Sequence, residues 1–141
     1  MNARPPKLLD IILCDEIRRE DNGKLFVLGM YLGAILVPRL PFRMPILTFF
    51  CKWKTFGLSP TGEFRLTNPS KEILGGFAVG AGDDAPHEAE VFFMTFALQN
   101  VQLNEAGTYT LSYKAPDGKR FRPIFSFDVS LKGDGSTSQG E

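Results

Sequence analysis

The chain holds one histidine, His87, and two cysteines, Cys14 and Cys51. Nucleophilic catalysis needs a nucleophile, a base in reach of it and a third group to orient the base. His87 closes the polar run Asp83-Asp84-Ala85-Pro86-His87, whereas both cysteines sit inside apolar runs with strand character. A thiol in such a run is usually inert, so a Cys–His pair exists only on paper. Structural zinc asks for about four nitrogen or sulfur ligands, more than these residues supply. Calcium is the better metal candidate. Asp83 and Asp84 are adjacent, and Asp15, Asp21 and Asp117 fall near other expected strand ends. Calcium wants roughly six to eight oxygens, however, and no Asp-x-Asp-x-Asp spacing gathers them; a solvated polar loop explains the same residues. Gly75-Gly76 and Gly80-Ala81-Gly82 are not followed by Lys-Ser/Thr, as a phosphate-cradling loop would be. The expectation is a chain with no catalytic set and no cofactor, and with Asp83 and Asp84 as its only metal candidates.

The elements that would have to position any site are strands. At 141 residues the chain has the length of one domain, expected over residues 1–131. Hydrophobic residues make up 43% and charged residues 23%, a globular balance. The 13 phenylalanines, 14 glycines and 10 prolines suit strands joined by turns. Sixteen basic residues equal sixteen acidic ones, so no global charge steers the protein toward nucleic acid or an anionic membrane. The apolar run at the start is broken by Asp10 and ends at Asp15, unlike a signal segment. With no run long enough to span a membrane, the expected location is cytoplasmic and the two thiols are expected reduced.

The most informative stretch runs from Val101 to Leu131. Tyr109, Leu111 and Tyr113 alternate with Thr108, Thr110 and Ser112, as a half-buried strand should. Ala115-Pro116-Asp117-Gly118 is a turn: Pro presets φ, Asp bonds its own backbone and Gly accepts positive φ. The return strand places Phe125, Phe127, Val129 and Leu131 on one face. Before it, Glu105-Ala106-Gly107-Thr108-Tyr109 resembles the tyrosine corner of immunoglobulin-like sandwiches. There the ring packs in the core and the hydroxyl bonds back to upstream backbone. Gly107 would allow the close approach such a corner needs. The resemblance implies a Greek-key sandwich with Trp53 in its core. It stops short of antibody domains, because Leu111 stands where those carry a cysteine.

In chain order, residues 1–6 read as a Pro-containing lead-in and Lys7–Ile17 as a first strand. Asn22-Gly23 is a strong hairpin signal, expected to pair that strand with the run Leu25–Val37. Gly29 and Gly33 interrupt the run, as at a bulge or bend. The prolines between Pro38 and Pro45 imply an extended crossover without regular ladder pairing. Ile46–Phe56 should be a strand with Leu47, Phe49, Cys51 and Trp53 toward the core. Glu63–Thr67, a Gly-rich Ile73–Val79 and Glu88–Leu98 follow as strands, and residues 132–141 as a disordered tail. The fold class expected is all-β, a two-sheet antiparallel immunoglobulin-like (Greek-key) sandwich of about seven to nine strands.

The motifs Leu13-Cys14-Asp15-Glu16-Ile17, Glu20-Asp21-Asn22-Gly23-Lys24-Leu25, Leu28-Gly29-Met30-Tyr31, Val37-Pro38 and Leu40-Pro41-Phe42 resemble a family of small uncharacterised bacterial proteins. The similarity spans nearly the whole chain. It implies a cytosolic domain of this length ending in a Gly-x-Tyr hairpin, and carries no activity with it.

The functional hint is apolar excess. Leu25–Val37 and Glu88–Leu98 are apolar on both faces, although one face of a sandwich sheet normally meets water. Either the crossover covers the surplus face or a partner does. The leading expectation is therefore a non-enzymatic interaction module that binds another protein or itself. Phe92, Met94, Phe96 and Phe50 are its interface candidates. The alternative is a ligand- or Ca²⁺-binding sandwich using the Phe-rich interior or the Asp83/Asp84 loop. Neither nucleic acid nor a membrane is an expected partner. Lys52 and Lys54, alternating with aromatics, read as charges that protect a strand from unwanted pairing.

Overall fold

The computed structural model describes residues 4–57, 60–79 and 89–133. Among them are ten strands and no helix. They are β1 (Arg4–Cys14), β2 (Glu16–Arg19), β3 (Leu25–Leu28), β4 (Ala34–Val37), β5 (Phe42–Phe56), β6 (Gly62–Thr67), β7 (Ile73–Val79), β8 (Ala89–Leu103), β9 (Gly107–Lys114) and β10 (Arg122–Leu131). A three-stranded sheet, β1-β5-β8, faces a five-stranded sheet, β4-β10-β9-β6-β7, and β2-β3 forms a separate hairpin. None of the sheets closes on itself, and the arrangement is sandwich-like. All pairs are antiparallel except β4–β10, which runs parallel from Ala34↔Asp128 to Val37↔Leu131.

The alternation of residue types dictates the layers. Leu47, Phe49, Cys51 and Trp53 of β5 are buried, as are Phe64 and Leu66 of β6, Tyr109 and Leu111 of β9, and Phe127 and Val129 of β10. They form one core cluster. Rings from the two sheets meet edge-on across it: Phe49 against Phe125 at 6.2 Å and Trp53 against Phe64 at 6.4 Å between centroids. Burying each such side chain contributes about 1.5–3 kcal/mol before entropy is counted. Trp53 Nε1 is buried without an acceptor among the described residues.

The tyrosine corner forms. Tyr109 is fully buried, and its hydroxyl donates to the Glu105 carbonyl at 2.7 Å. Gly107 has φ +133°, and a Cβ there would lie 2.8 Å from Pro69 Cγ, so the close approach requires glycine. Downstream, Gly118 N–H closes the expected turn onto Ala115 O at 2.9 Å. β9 then pairs with β10 from Gly107↔Val129 to Tyr113↔Arg122, through a bulge between Pro123 and Phe125.

Four expectations for the first half are corrected. The first apolar run does not pair across Asn22-Gly23. It becomes β1 and pairs with β5, matching Leu13 to Phe49 and Ile11 to Cys51. The hairpin that Asn22-Gly23 does close is β2–β3, with Gly23 at φ +88° and Asn22 Oδ1 accepting from Lys24 N–H at 3.1 Å. A break at Asp15 divides the run, because Asp15 N–H turns aside to Leu28 O at 3.0 Å and Gly29 O at 3.2 Å. Second, Leu25–Val37 is two strands, not one, separated at Gly29 and Gly33, both of positive φ. Third, regular pairing resumes inside the Pro-rich stretch. β5 starts at Phe42 and continues its register with β8 past Pro45, from Met44↔Val101 to Ile46↔Gln99. There β5 has already outrun β1, whose pairing ends at Thr48, so the missing Pro45 N–H breaks no second ladder. Last, β1 begins at Arg4 and takes in Pro5 and Pro6, which fall where its register slips between Arg4 and Lys7. Of the tail expected over residues 132–141, the part from 134 onward lies outside the described residues.

Candidate interaction surface

β8 decides which apolar surface is free. Directly opposed residues of a strand pair point to the same face. Phe92, Met94, Phe96 and Leu98 stand opposite Trp53, Cys51, Phe49 and Leu47, the core face of β5. They therefore point inward and pack on the core cluster. Phe96 is central there, with its ring 5.3 Å from Phe49, 5.0 Å from Phe64 and 3.6 Å from Phe77. Phe92, Met94 and Phe96, taken from the sequence as interface candidates, are thus corrected to partly buried core residues. The two alternating sets of β8 were legible; which one faced in depended on a register that β8 alone does not encode.

The outward set is Val91, Phe93, Thr95 and Ala97. Val91 is 49% exposed and Phe93 50% exposed. Phe50, the fourth interface candidate, does lie on this outer face of β5. Its ring stacks on Phe93 at 5.4 Å with 17° between planes, and it is half-buried between Ile12 and Thr95, its neighbours in register. Lys52 and Lys54 stand opposite Phe93 and Val91. The outer face of the three-stranded sheet is thus an aromatic pair with Val91 beside it and lysines along one side.

The β2–β3 hairpin and the segment after it expose a second set of apolar side chains. Phe26, Met30 and Leu36 are exposed, and Leu32 is 87% exposed. Asp15 anchors this arm to the sandwich. Tyr31 Oη donates to its carboxylate at 2.8 Å, Thr48 Oγ1 to its carbonyl at 3.1 Å, and Tyr31 N–H to Leu13 O at 2.9 Å. A side chain at Gly29 would run into the Asp15 carboxylate, and its φ of +69° also favours glycine. Burial, then the hydrogen bond and the negative charge of Asp15, push the Tyr31 phenol up to about 12. The sequence motifs around Asp15 and Tyr31 therefore meet as one structural joint. Its role was not foreseen, because it rests on a chain reversal sixteen residues long.

The other sequence candidates divide simply. Trp53 is in the core, between Phe64 and Tyr113. Cys14 and Cys51 are buried free thiols. Burial pushes Cys51 up to about 12, and burial foremost raises Cys14, whose thiol lies 3.8 Å from Glu16 O. Burial thus favours the neutral thiol over the thiolate at both sulfurs. Asp83, Asp84 and His87 lie outside the described residues. No group of three or more His, Cys, Asp or Glu side chains suited to a metal ion occurs among the described residues. A shallow groove of about 290 Å³ runs over Gly76, where the Arg65 guanidinium lies 3.7 Å from the Phe121 ring centroid. Among the described residues no helix is long and apolar enough to cross a membrane.

None of the curated proteins matches the chain. A family model does, over residues 9–120, which takes in the latter part of β1 and all of β2 through β9, with the Asp15 joint, the outer aromatic pair and the tyrosine corner. The chain belongs to this family, described as a family of unknown function (DUF6941).

Proposed function

We propose that this is a non-enzymatic interaction module of the bacterial cytoplasm, built on an immunoglobulin-like Greek-key sandwich. It binds a protein partner, either another protein or a second copy of itself, through the outer face of β1-β5-β8. The Tyr109–Glu105 hydrogen bond and the two facing sheets support the immunoglobulin-like arrangement. The free, buried thiols are in keeping with a reducing compartment.

The observation that carries the functional reading is the stacked Phe50–Phe93 pair on an outer sheet face, with Phe93 and Val91 each about half exposed. Aromatic residues in a partly desolvated, preorganised pair suit the apolar centre of a protein interface. The lysines beside them supply a polar rim. In the test, wild-type protein and Phe93→Asp are compared by native mass spectrometry after isolation from the source cells. The expected result is that the wild type carries a protein partner or a second copy and that the variant loses it, with its unfolding transition unchanged. An unchanged mass and an unchanged set of partners would overturn the reading.

A further inference from the structure

We infer that the free edge of β8 is a docking site for the same edge of a second copy, which would join two three-stranded sheets into one continuous sheet. The inference deepens the interaction reading above and rests on it. The three-stranded sheet has two edges, and they are built differently. β1 carries Arg4, Pro5, Pro6, Lys7 and Asp10, and its register slips twice, between Arg4 and Lys7 and between Leu8 and Asp10. Charges, prolines and bulges are the usual means of keeping a strand edge from pairing. β8 has none of them over the stretch from Val91 to Gln99. Within Ala89–Leu103 the one charged residue is Glu90, there is no proline or glycine, and the pairing with β5 has no register slip. Among the described residues no strand pairs with the side of β8 away from β5, and no turn or loop backbone hydrogen bond reaches it. Such an edge presents a row of unmet N–H and C=O groups.

The chemistry of the edge selects a second copy as its occupant. An antiparallel pair of identical strands about a two-fold axis must place one residue opposite itself, and like charges there would repel. The uncharged run extends from Val91 to Leu103, and Asn100 at φ +55° interrupts its extended backbone; the regular part before it, Val91–Gln99, spans about 30 Å and has Thr95 at its midpoint. An axis through Thr95 sets Phe93 opposite Ala97, Val91 opposite Gln99 and Glu90 opposite Asn100, so large meets small and charge meets neutral. Pairing would also carry Phe93 and Val91, already half exposed, against the second copy, which adds apolar burial to the main-chain bonds.

Sedimentation equilibrium of the full chain across a dilution series, with Thr95→Lys, Thr95→Glu and their mixture, tests this. The wild type is expected at twice its 15.7 kDa, each variant at the single-chain mass, and the mixture back at the doubled mass as Lys faces Glu across the axis. A wild type at the single-chain mass, open-ended aggregates, a doubled mass that survives Thr95→Lys, or a mixture that stays monomeric would each overturn the edge pairing. A monomeric wild type that still loses a foreign partner on Phe93→Asp would sink only the self-pairing and leave the interaction reading standing.

Discussion

The inner and outer faces of β8 both carry phenylalanine, in opposite surroundings. Phe96 points in and touches rings from β5, β6 and β7. Phe93 points out, stacks on Phe50 and leaves half its surface to water. One residue type in one strand therefore serves cohesion on one side and is available for recognition on the other. What separates them is the parity of their pairing with β5, not their hydrophobicity.

Substitutions on the two faces should diverge accordingly. The largest effect is expected for Phe96→Ala, at about 3–5 kcal/mol of stability, since it opens a cavity between the sheets. Phe93→Ala should cost under about 1 kcal/mol, because its ring is half solvated and the site can relax into water. Urea unfolding of the two variants measures the gap, and equal losses would erase the distinction between the faces. Next, Tyr109→Phe should cost about 1–2 kcal/mol by leaving the Glu105 carbonyl without its buried donor. A neutral result there would show that the corner hydroxyl contributes nothing beyond its ring.

Two smaller effects sharpen the same contrast by chemistry. Cys51, on the inner face of β5, should resist a thiol reagent until the protein unfolds, whereas a cysteine placed at exposed Ser126 of β10, away from the proposed interface, should react at once. Timed labelling in native and denaturing buffer reads both. The smallest effect concerns the arm. Tyr31 has its phenol raised to about 12 in the folded protein, above an ordinary value near 10. The folded state thus holds this proton more tightly than the unfolded one. The stability it contributes is complete below about pH 10 and is lost as pH rises toward 12. Tyr31→Phe should flatten that part of the stability profile, as followed by denaturant unfolding at stepped pH.

The local features were legible residue by residue. Asn22-Gly23 and Ala115-Pro116-Asp117-Gly118 turn where their chemistry requires. Ile73–Val79 is a strand with the bounds its composition suggested, and Tyr109 reaches Glu105 as the Gly-x-Tyr spacing implied. Long-range partners were not legible in the same way. The Asn-Gly turn correctly announced a hairpin but not that Asp15 had already cut the preceding strand away, since that cut depends on backbone bonds to Leu28 and Gly29. The interface set was displaced by one residue for the same reason: alternation has period two, and its phase is set by a partner strand. β5 held the missing signal, because Lys52 and Lys54 marked its outer face, but the register joining β5 to β8 had to be seen.

The sequence by itself determined an all-β chain, its turns, the core face of β5, the tyrosine corner and the two buried cysteines, because each rests on the local preferences of a few adjacent residues. The tertiary structure alone decided that β1 pairs with β5, that β4 runs parallel to β10, that Asp15 and Tyr31 form a joint, and that Phe93 rather than Phe96 faces water. Those outcomes depend on which distant strands compete most successfully for the same hydrogen bonds and the same apolar surface, a contest that no short stretch of chain records.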